Sequence, residues 1–282
     1  MTEVAERCDV QPRRGSERAP AGVPWHDLER MAPNETVREI LLPLPWLGLS
    51  WGLYGSSFWW LGPLASFMFF LCALRLNHEA IHGNLGLTRD GDSLVMHGLS
   101  ALMGGSNYAF SHCHMVHHRH AMGPDDHEGQ CGHMTMLGVL RYGPRFPVDV
   151  NRAAWRGGTR RLRRRIAVDW ALNLAVVALA LVLGSQVLMS HVAVMAIAQC
   201  FTAFFAVWIT HQGADEGGVA ARSQRGLLAR LAYLMFYHRE HHLFPKVPVR
   251  RLPVLADRLD GSVPGYAAER MPVIPLFDRA NG

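Results

Sequence analysis

Two blocks of apolar residues, 40–76 and 166–210, dominate this chain, with polar segments between them. Clumping of this kind constrains the fold more than any motif does. Each block is too continuous for the half-buried face of a soluble helix, and each suits a bilayer, which takes about 20 residues per helical crossing. The first block divides at Gly55-Ser56-Ser57. Before that turn lies an apolar stretch over 40–56, with Pro43 and Pro45 near its start, where a helix tolerates proline. After it comes FWWLGPLASFMFFLCALRL, 58–76, with Trp59 and Trp60 where an interfacial aromatic belt would lie. The second block divides at Gly184-Ser185-Gln186 into 166–183 and 188–210. Two hairpins, and hence four spans, are expected.

Charge sets the orientation of those spans. Charged residues make up 18% of the chain, against about 25% in a soluble protein, and the net charge of +5 comes mostly from arginine. The densest run, RGGTRRLRRR at 156–165, abuts an apolar stretch, so it reads as a cytoplasmic anchor and not as a nucleic-acid surface. With that run and the basic N-terminal region inside, each hairpin leaves and returns, and residues 77–165 and 211–282 share the cytoplasmic side. The first forty residues are polar and lack a signal-peptide pattern. Residues 1–24 are expected to be a disordered tail, 25–260 a single membrane domain and 261–282 a C-terminal tail. Asp169 and His191, each near the start of a span, are expected at interfacial positions, His191 as a packing residue. Five cysteines form no CxxC pair, which indicates neither a disulfide framework nor a thiolate zinc site.

Sixteen histidines are many for 282 residues, and eight of them fall into three clusters. His78 and His82, in HEAIHG, are spaced i,i+4. His114, His117 and His118, in SHCHMVHHRH, are spaced i,i+3,i+4, and His238, His241 and His242, in FYHREHHLFP, repeat that spacing. On a helix these positions share one face, so each cluster presents its imidazoles to one point. All three lie on the same expected side of the membrane. His97, His127 and His133 lack spacing partners, and His112 and His120 point off the face of the second cluster.

Taken alone, HEAIHG matches the H-E-x-x-H zinc-protease motif, with Glu79 as general base. That reading leaves both HxxHH clusters unused. Eight imidazoles overfill one zinc, which takes three protein ligands in a catalytic site, and they suit two metals at about four each. Imidazole serves zinc, copper, iron and nickel, so ligand type does not choose among them. A metal-transport site is disfavoured because such sites sit near the bilayer midplane, whereas these clusters sit at span ends.

In order and spacing, HEAIHG, HMVHH and HREHHLFP around two apolar hairpins resemble the integral-membrane fatty-acid desaturase and hydroxylase superfamily, which also includes carotenoid ketolases. The resemblance covers roughly residues 40–260. It implies an all-α integral membrane protein with four transmembrane helices in two hairpins and a cytoplasmic helical cap carrying three histidine boxes. It also implies two iron ions held by those boxes, with O2 as co-substrate and the abstraction of hydrogen from an unactivated C–H bond. The family places a further histidine between the last span and the third box, and His211, in WITHQGADEGG, occupies that place. The acidic stretch GPDDHEG after the second box is similar to the family's, with Asp125 or Asp126 accepting a ring N–H from a ligand histidine. Glu79 then becomes a supporting residue.

The implied reaction is fatty-acyl desaturation, with hydroxylation or ketone formation on a carotenoid or other apolar substrate as the alternative. Many bacterial members carry asparagines just before the third box, where this chain has Met235-Phe236, and that departure keeps the alternative open. The chain contains no dinucleotide fingerprint, no cysteine array for an iron–sulfur cluster and no haem-domain motif. Electrons are therefore expected from a separate ferredoxin-like or cytochrome-type donor, steered by Arg160, Arg161, Arg163, Arg164 and Arg165 or by Arg250 and Arg251.

Overall fold

The computed structural model describes residues 19–120, 122–123, 126–214, 221–225 and 234–272. Of the expected tails, residues 1–18 and 273–282 lie outside the described residues. Among the described residues the regular structure is helical apart from a two-residue parallel pairing of β1 (Gln224–Arg225) with β2 (Met271–Pro272) and an isolated antiparallel bridge between Ser223 and Tyr237.

The first apolar stretch does not form one continuous helix. It is shared between α1 (Pro33–Leu41) and α2 (Leu44–Tyr54), which meet around Pro43. Proline lacks the N–H that would carry the ladder through. With 11 residues, α2 is about 16 Å long, roughly half the hydrocarbon thickness. It doubles back on α3 (Gly62–His82) through a turn that exposes Trp59 and Trp60, 61% and 60% accessible. The hairpin closes tightly, because a Cβ on Gly62 would fall 2.3 Å from the Tyr54 ring, and the Tyr54 hydroxyl meets Ser66 Oγ at 2.9 Å.

Among the described residues, two helical segments are long and apolar enough to cross a membrane, Trp59–His82 and α8 (Arg160–Val182). A third forms if α9 (Gln186–Gln199) is joined to the segment Ala203–His211 across a 43° bend. That segment opens with a π-helical turn, Ala203–Trp208, and ends in α10 (Ile209–His211).

Between the hairpins the chain builds four further helices, which apolar blocks alone do not announce. These are α4 (Arg89–Met103), α5 (Asn107–His120), α6 (Met136–Tyr142) and α7 (Phe146–Gly157). Local signals start several helices: Thr88, Thr135, Thr159 and Ser185 each cap an N-terminus by accepting a backbone N–H three residues on. The last helices are α11 (His238–Leu243) and α12 (Leu252–Ser262).

Two apolar cores result. The larger, with Phe69, Phe70, Met103, Phe146, Ile166 and Met195, joins α3 to α5, α7, α8 and α9. The smaller gathers Val247, Leu252, Leu255, Leu259 and Tyr266 beneath α11 and α12, with Val23 and Leu28 from the N-terminal segment. Arg258 clamps that segment through two bonds to Asp27, at 2.6 and 2.7 Å.

Asp169 has its carboxylate inside the protein. It is fully buried, accepting from Ser106 Oγ at 2.7 Å and Tyr108 N at 3.2 Å, and pairing with His97 Nδ1 at 2.6 Å. A carboxylate removed from water needs such partners, and here it ties the N-terminus of α5 to α8. His191 is a packing residue: its Nε2 donates to Leu102 O at 2.9 Å.

Candidate metal centre

Helix ends carry every histidine of the three boxes. α3 delivers His78 and His82 in its last turn and then stops, because Gly83 adopts φ +66° and turns its N–H back to Ala80 O. Only glycine enters that left-handed region without strain, so the sequence HG ends the helix directly after the second histidine. α5 contributes His114, His117 and His118, and α11 contributes His238, His241 and His242 before Phe244 and Pro245 end it. The π turn rotates the end of the bent segment so that α10 presents His211.

All nine side chains converge, and they divide into two groups. His78, His82, His114, His118 and His241 form the first, and His117, His211, His238 and His242 the second; within each group the nitrogens lie within 4.8 Å of one another. The division is five and four rather than four and four. In the first group Nε2–Nε2 separations are 3.0 Å for His78–His241, His82–His114 and His118–His241, and 3.2 Å for His114–His118. In the second, His117 Nε2 lies 3.1 Å from His211 Nε2 and 3.2 Å from His242 Nε2.

Those separations have a simple geometric meaning. Nitrogens about 2.1 Å from a shared ion lie about 3.0 Å apart at right angles and about 3.4 Å apart at tetrahedral angles. The closest pairs therefore have the spacing of donors around a shared ion. Five imidazoles also exceed the ligand set of a tetrahedral zinc site.

The far side of two rings fixes their chemistry. His117 Nδ1 donates to Asp126 Oδ2 at 2.6 Å, and His114 Nδ1 pairs at 3.0 Å with Glu128 Oε1, whose carboxyl is pushed up to about 8 by burial. A ring that gives its Nδ1 proton to a carboxylate keeps a bare lone pair on Nε2, directed into the group. Asp126 is itself held by the backbone N–H groups of Met122, Glu128 and Gly129. Burial alone would raise its pKa, but His117 and the N–H groups of Gly129 and Met122 bring it down to about 2, so it is an anion. Asp125 lies outside the described residues. Glu128 escapes a spacing search because it sits 14 positions from its histidine, in a turn with no periodicity; the only signal was its membership of GPDDHEG.

Burial and mutual repulsion push the pKa values of His114, His118, His238, His241 and His242 well below the ordinary imidazole range, so these rings stay neutral. His117 goes the other way. Burial lowers it, but the hydrogen bond and charge of Asp126, with Glu128, carry it above. His238 is 1% accessible, and neither of its ring nitrogens has a hydrogen-bond partner among the described residues. A buried imidazole with two orphaned nitrogens is costly unless a cation takes a lone pair, and this donor set fits a pair of divalent ions.

Glu79 takes no place in either group. It is fully buried, its Oε2 accepts from Val249 N at 3.0 Å, and its Oε1 lies 3.5 Å from His78 Nδ1, on the ring edge opposite the converging Nε2. It braces the first box against the segment after the third, and a protease base would have to face the ion. His26 stacks on Trp25, His97 serves Asp169, and His112, His120, His127 and His133 do not join either group.

A family model described as fatty acid desaturase matches residues 54–273, which includes all nine histidines. No curated protein and no solved structure matches the chain. Spanning 220 of 282 residues, the match places the chain in the fatty acid desaturase family.

Proposed function

We propose that the protein is a membrane-bound, O2-dependent di-iron oxidoreductase that desaturates an acyl chain of a lipid. One observation carries this reading: nine imidazoles in groups of five and four, two of them paired through Nδ1 with Asp126 and Glu128. Two bound iron ions would supply O2 activation, and the balance is a saturated CH2–CH2 unit, O2, two electrons and two protons giving a cis or trans double bond and two waters. His78, His82, His114, His118 and His241 hold one ion, and His117, His211, His238 and His242 the other. Asp126 retains the Nδ1 proton of His117, Glu128 pairs with His114, and Glu79 steadies the first box. The chain has no redox cofactor motif of its own, so the electrons come from a separate ferredoxin-like or cytochrome-type protein.

Orientation follows from the same end of the molecule. Gly157, beside the arginine run, packs against His112 of α5, so the basic start of α8 and the second box share an end. By the positive-inside rule that end is cytoplasmic. Arg251 and Arg250 are engaged with Glu35, at 2.5 and 3.6 Å, which leaves the exposed Arg160, Arg161 and Arg164 to steer an acidic donor.

Hydroxylation or ketone formation is the second reading. Met235 and Phe236, both buried, stand just before the third box where many bacterial family members carry asparagines. Metal analysis of the purified chain, joined to lipid profiling of a host with and without the gene, tests both. About two irons per chain and a new acyl double bond are expected. Unchanged acyl chains with an oxygenated carotenoid select the second reading, and a single zinc per chain overturns both.

A further inference from the structure

The outer sides of α6 and α7 are unlike a surface that meets only water. On α6, Met136, Leu137 and Leu140 share one face at i,i+1,i+4 and are exposed, Leu137 to 55%, while Val139 on the other side is fully buried. On α7, Phe146, Val150 and Ala154 enter the core, and the opposite side carries Val148, 56% accessible, with exposed Arg152, Trp155 and Arg156. A soluble amphipathic helix places charged and polar residues there. From Met136 to Arg165 the chain has nine arginines and a single acid, Asp149, which Arg145 holds at 2.9 Å. Exposed apolar residues set among arginines are the composition of a helix that lies in a membrane surface.

Packing gives α7 the matching direction and depth. It meets α5 at two places: Cys113 Sγ donates to Val150 O at 3.6 Å, and a Cβ on Gly157 would lie 3.3 Å from His112 Nε2. Val150 and Gly157 are about 10 Å apart along α7, whereas His112 and Cys113 are about 1.5 Å apart along α5. α7 therefore crosses α5 instead of running beside it. Trp155 stacks on Trp170 of α8 with ring centroids 5.0 Å apart, and the Trp170 indole N–H donates to Asn151 Oδ1 at 3.0 Å. Trp170 stands four residues beyond Ile166, the first apolar residue after the arginine run, or about 6 Å along α8. Helices in the membrane plane sit about 5–10 Å into the boundary between headgroups and acyl chains. Trp170 and Leu174, one turn apart on α8, are both exposed, so the outer side of α7 continues the lipid-facing side of a span.

We infer that α6 and α7 form an in-plane membrane anchor. Leu137, Leu140, Val148 and Trp155 enter the acyl boundary of the cytoplasmic leaflet, and Arg141, Arg152 and Arg156 bind the phosphates of anionic lipids. The inference rests on the membrane reading above and not on the metal chemistry. Through Val150 and Cys113 the anchor also reaches α5 one residue before His114.

The full chain in nanodiscs of mixed phosphatidylcholine and phosphatidylglycerol tests this. A benzophenone amino acid, placed in turn at Leu140, Val148, Leu174 and Val254, captures on illumination whatever each exposed position touches. Leu140 and Val148 should give lipid adducts as Leu174 on α8 does, and Val254 on α12 should not. Lipid captured at Val148 should be enriched in phosphatidylglycerol about fivefold over the nanodisc ratio, the effect of one arginine at a membrane surface. The double variant Arg152→Gln, Arg156→Gln should lose that enrichment, and the preference with both arginines present decides the matter if the variant does not fold. Adducts at Leu140 and Val148 no stronger than at Val254, or no phosphatidylglycerol preference, overturn the inference. Capture of an added acidic ferredoxin at Val148 in place of lipid would overturn it too, and assign the face to the electron donor. Lipid adducts on a chain that holds no iron would leave the anchor standing and overturn the di-iron reading; two irons without lipid adducts would do the reverse.

Discussion

Replacing Asp126 with asparagine should disable one half of the metal centre and spare the other. The asparagine oxygen can keep the Oδ1 bonds to Glu128 N and Gly129 N, at 3.1 and 2.7 Å, so the turn survives. Its NH2 then faces Met122 N–H and His117 Nδ1–H, where the carboxylate accepted at 2.9 and 2.6 Å. Two donors cannot share that edge, and the imidazole answers by moving its proton to Nε2, where it blocks the lone pair aimed at His211 and His242. Loss of such a ring-orienting partner typically weakens metal binding 10- to 100-fold, or about 1.4–2.7 kcal/mol, close to the roughly 1.5–3 kcal/mol of one charge-assisted hydrogen bond. Iron quantified on the purified chain, with a back-titration of the metal-free protein, should show about one tightly held iron per chain instead of two. Two irons retained at wild-type affinity would refute the tautomer argument.

Gly129→Ala should resemble that variant for a steric reason, since a Cβ there would lie 2.1 Å from Asp126 Oδ2; wild-type iron content would show that the carboxylate can retreat at no cost. Glu79→Gln keeps a carbonyl oxygen for Val249 N–H and should retain iron and part of the activity, whereas total loss with iron intact would restore Glu79 to a catalytic role. Asp169→Ala leaves the Ser106 O–H and the Tyr108 N–H without their acceptor, at about 1–3 kcal/mol each, and should lower the thermal midpoint in detergent; an unchanged midpoint would contradict the buried hub. Burial, with the Glu128 and Asp126 charges adding, pushes the Cys113 and Cys131 thiols up to about 12. At about pH 8 both should resist iodoacetamide in the folded protein and react after unfolding, and ready labelling of the native chain would refute their burial.

Helical periodicity made the eight box histidines legible, because i,i+3,i+4 spacing converts directly into a shared face. His211 needed the family resemblance, since nothing in WITHQGADEGG distinguishes a ligand from a helix-end histidine. Glu128 was hidden because partners for ring N–H groups come from turns, where spacing carries no geometry. Hydropathy located the long spans but treated 40–56 as one piece, although two prolines lie near its start. It marked Asp169 as lying near a span's edge without showing what surrounds it. What buries that carboxylate is α5, whose first turn supplies Ser106 and Tyr108 from sixty residues upstream, a contact no local window contains.

The π turn at Ala203–Trp208 gives the centre an unusual genetic fragility. A π turn holds one residue more than the α-helix around it, and each residue advances a helix by about 100°. Substitutions that let 203–208 relax into a regular α-helix without a change in length would leave the segment apolar and long enough to insert. The extra residue would then swing His211 about 100° out of phase with His117, His238 and His242. Such a variant would lack one imidazole of the four-histidine group while every histidine box stays intact, whereas a one-residue deletion in the turn would remove the bulge and keep His211 nearly in place.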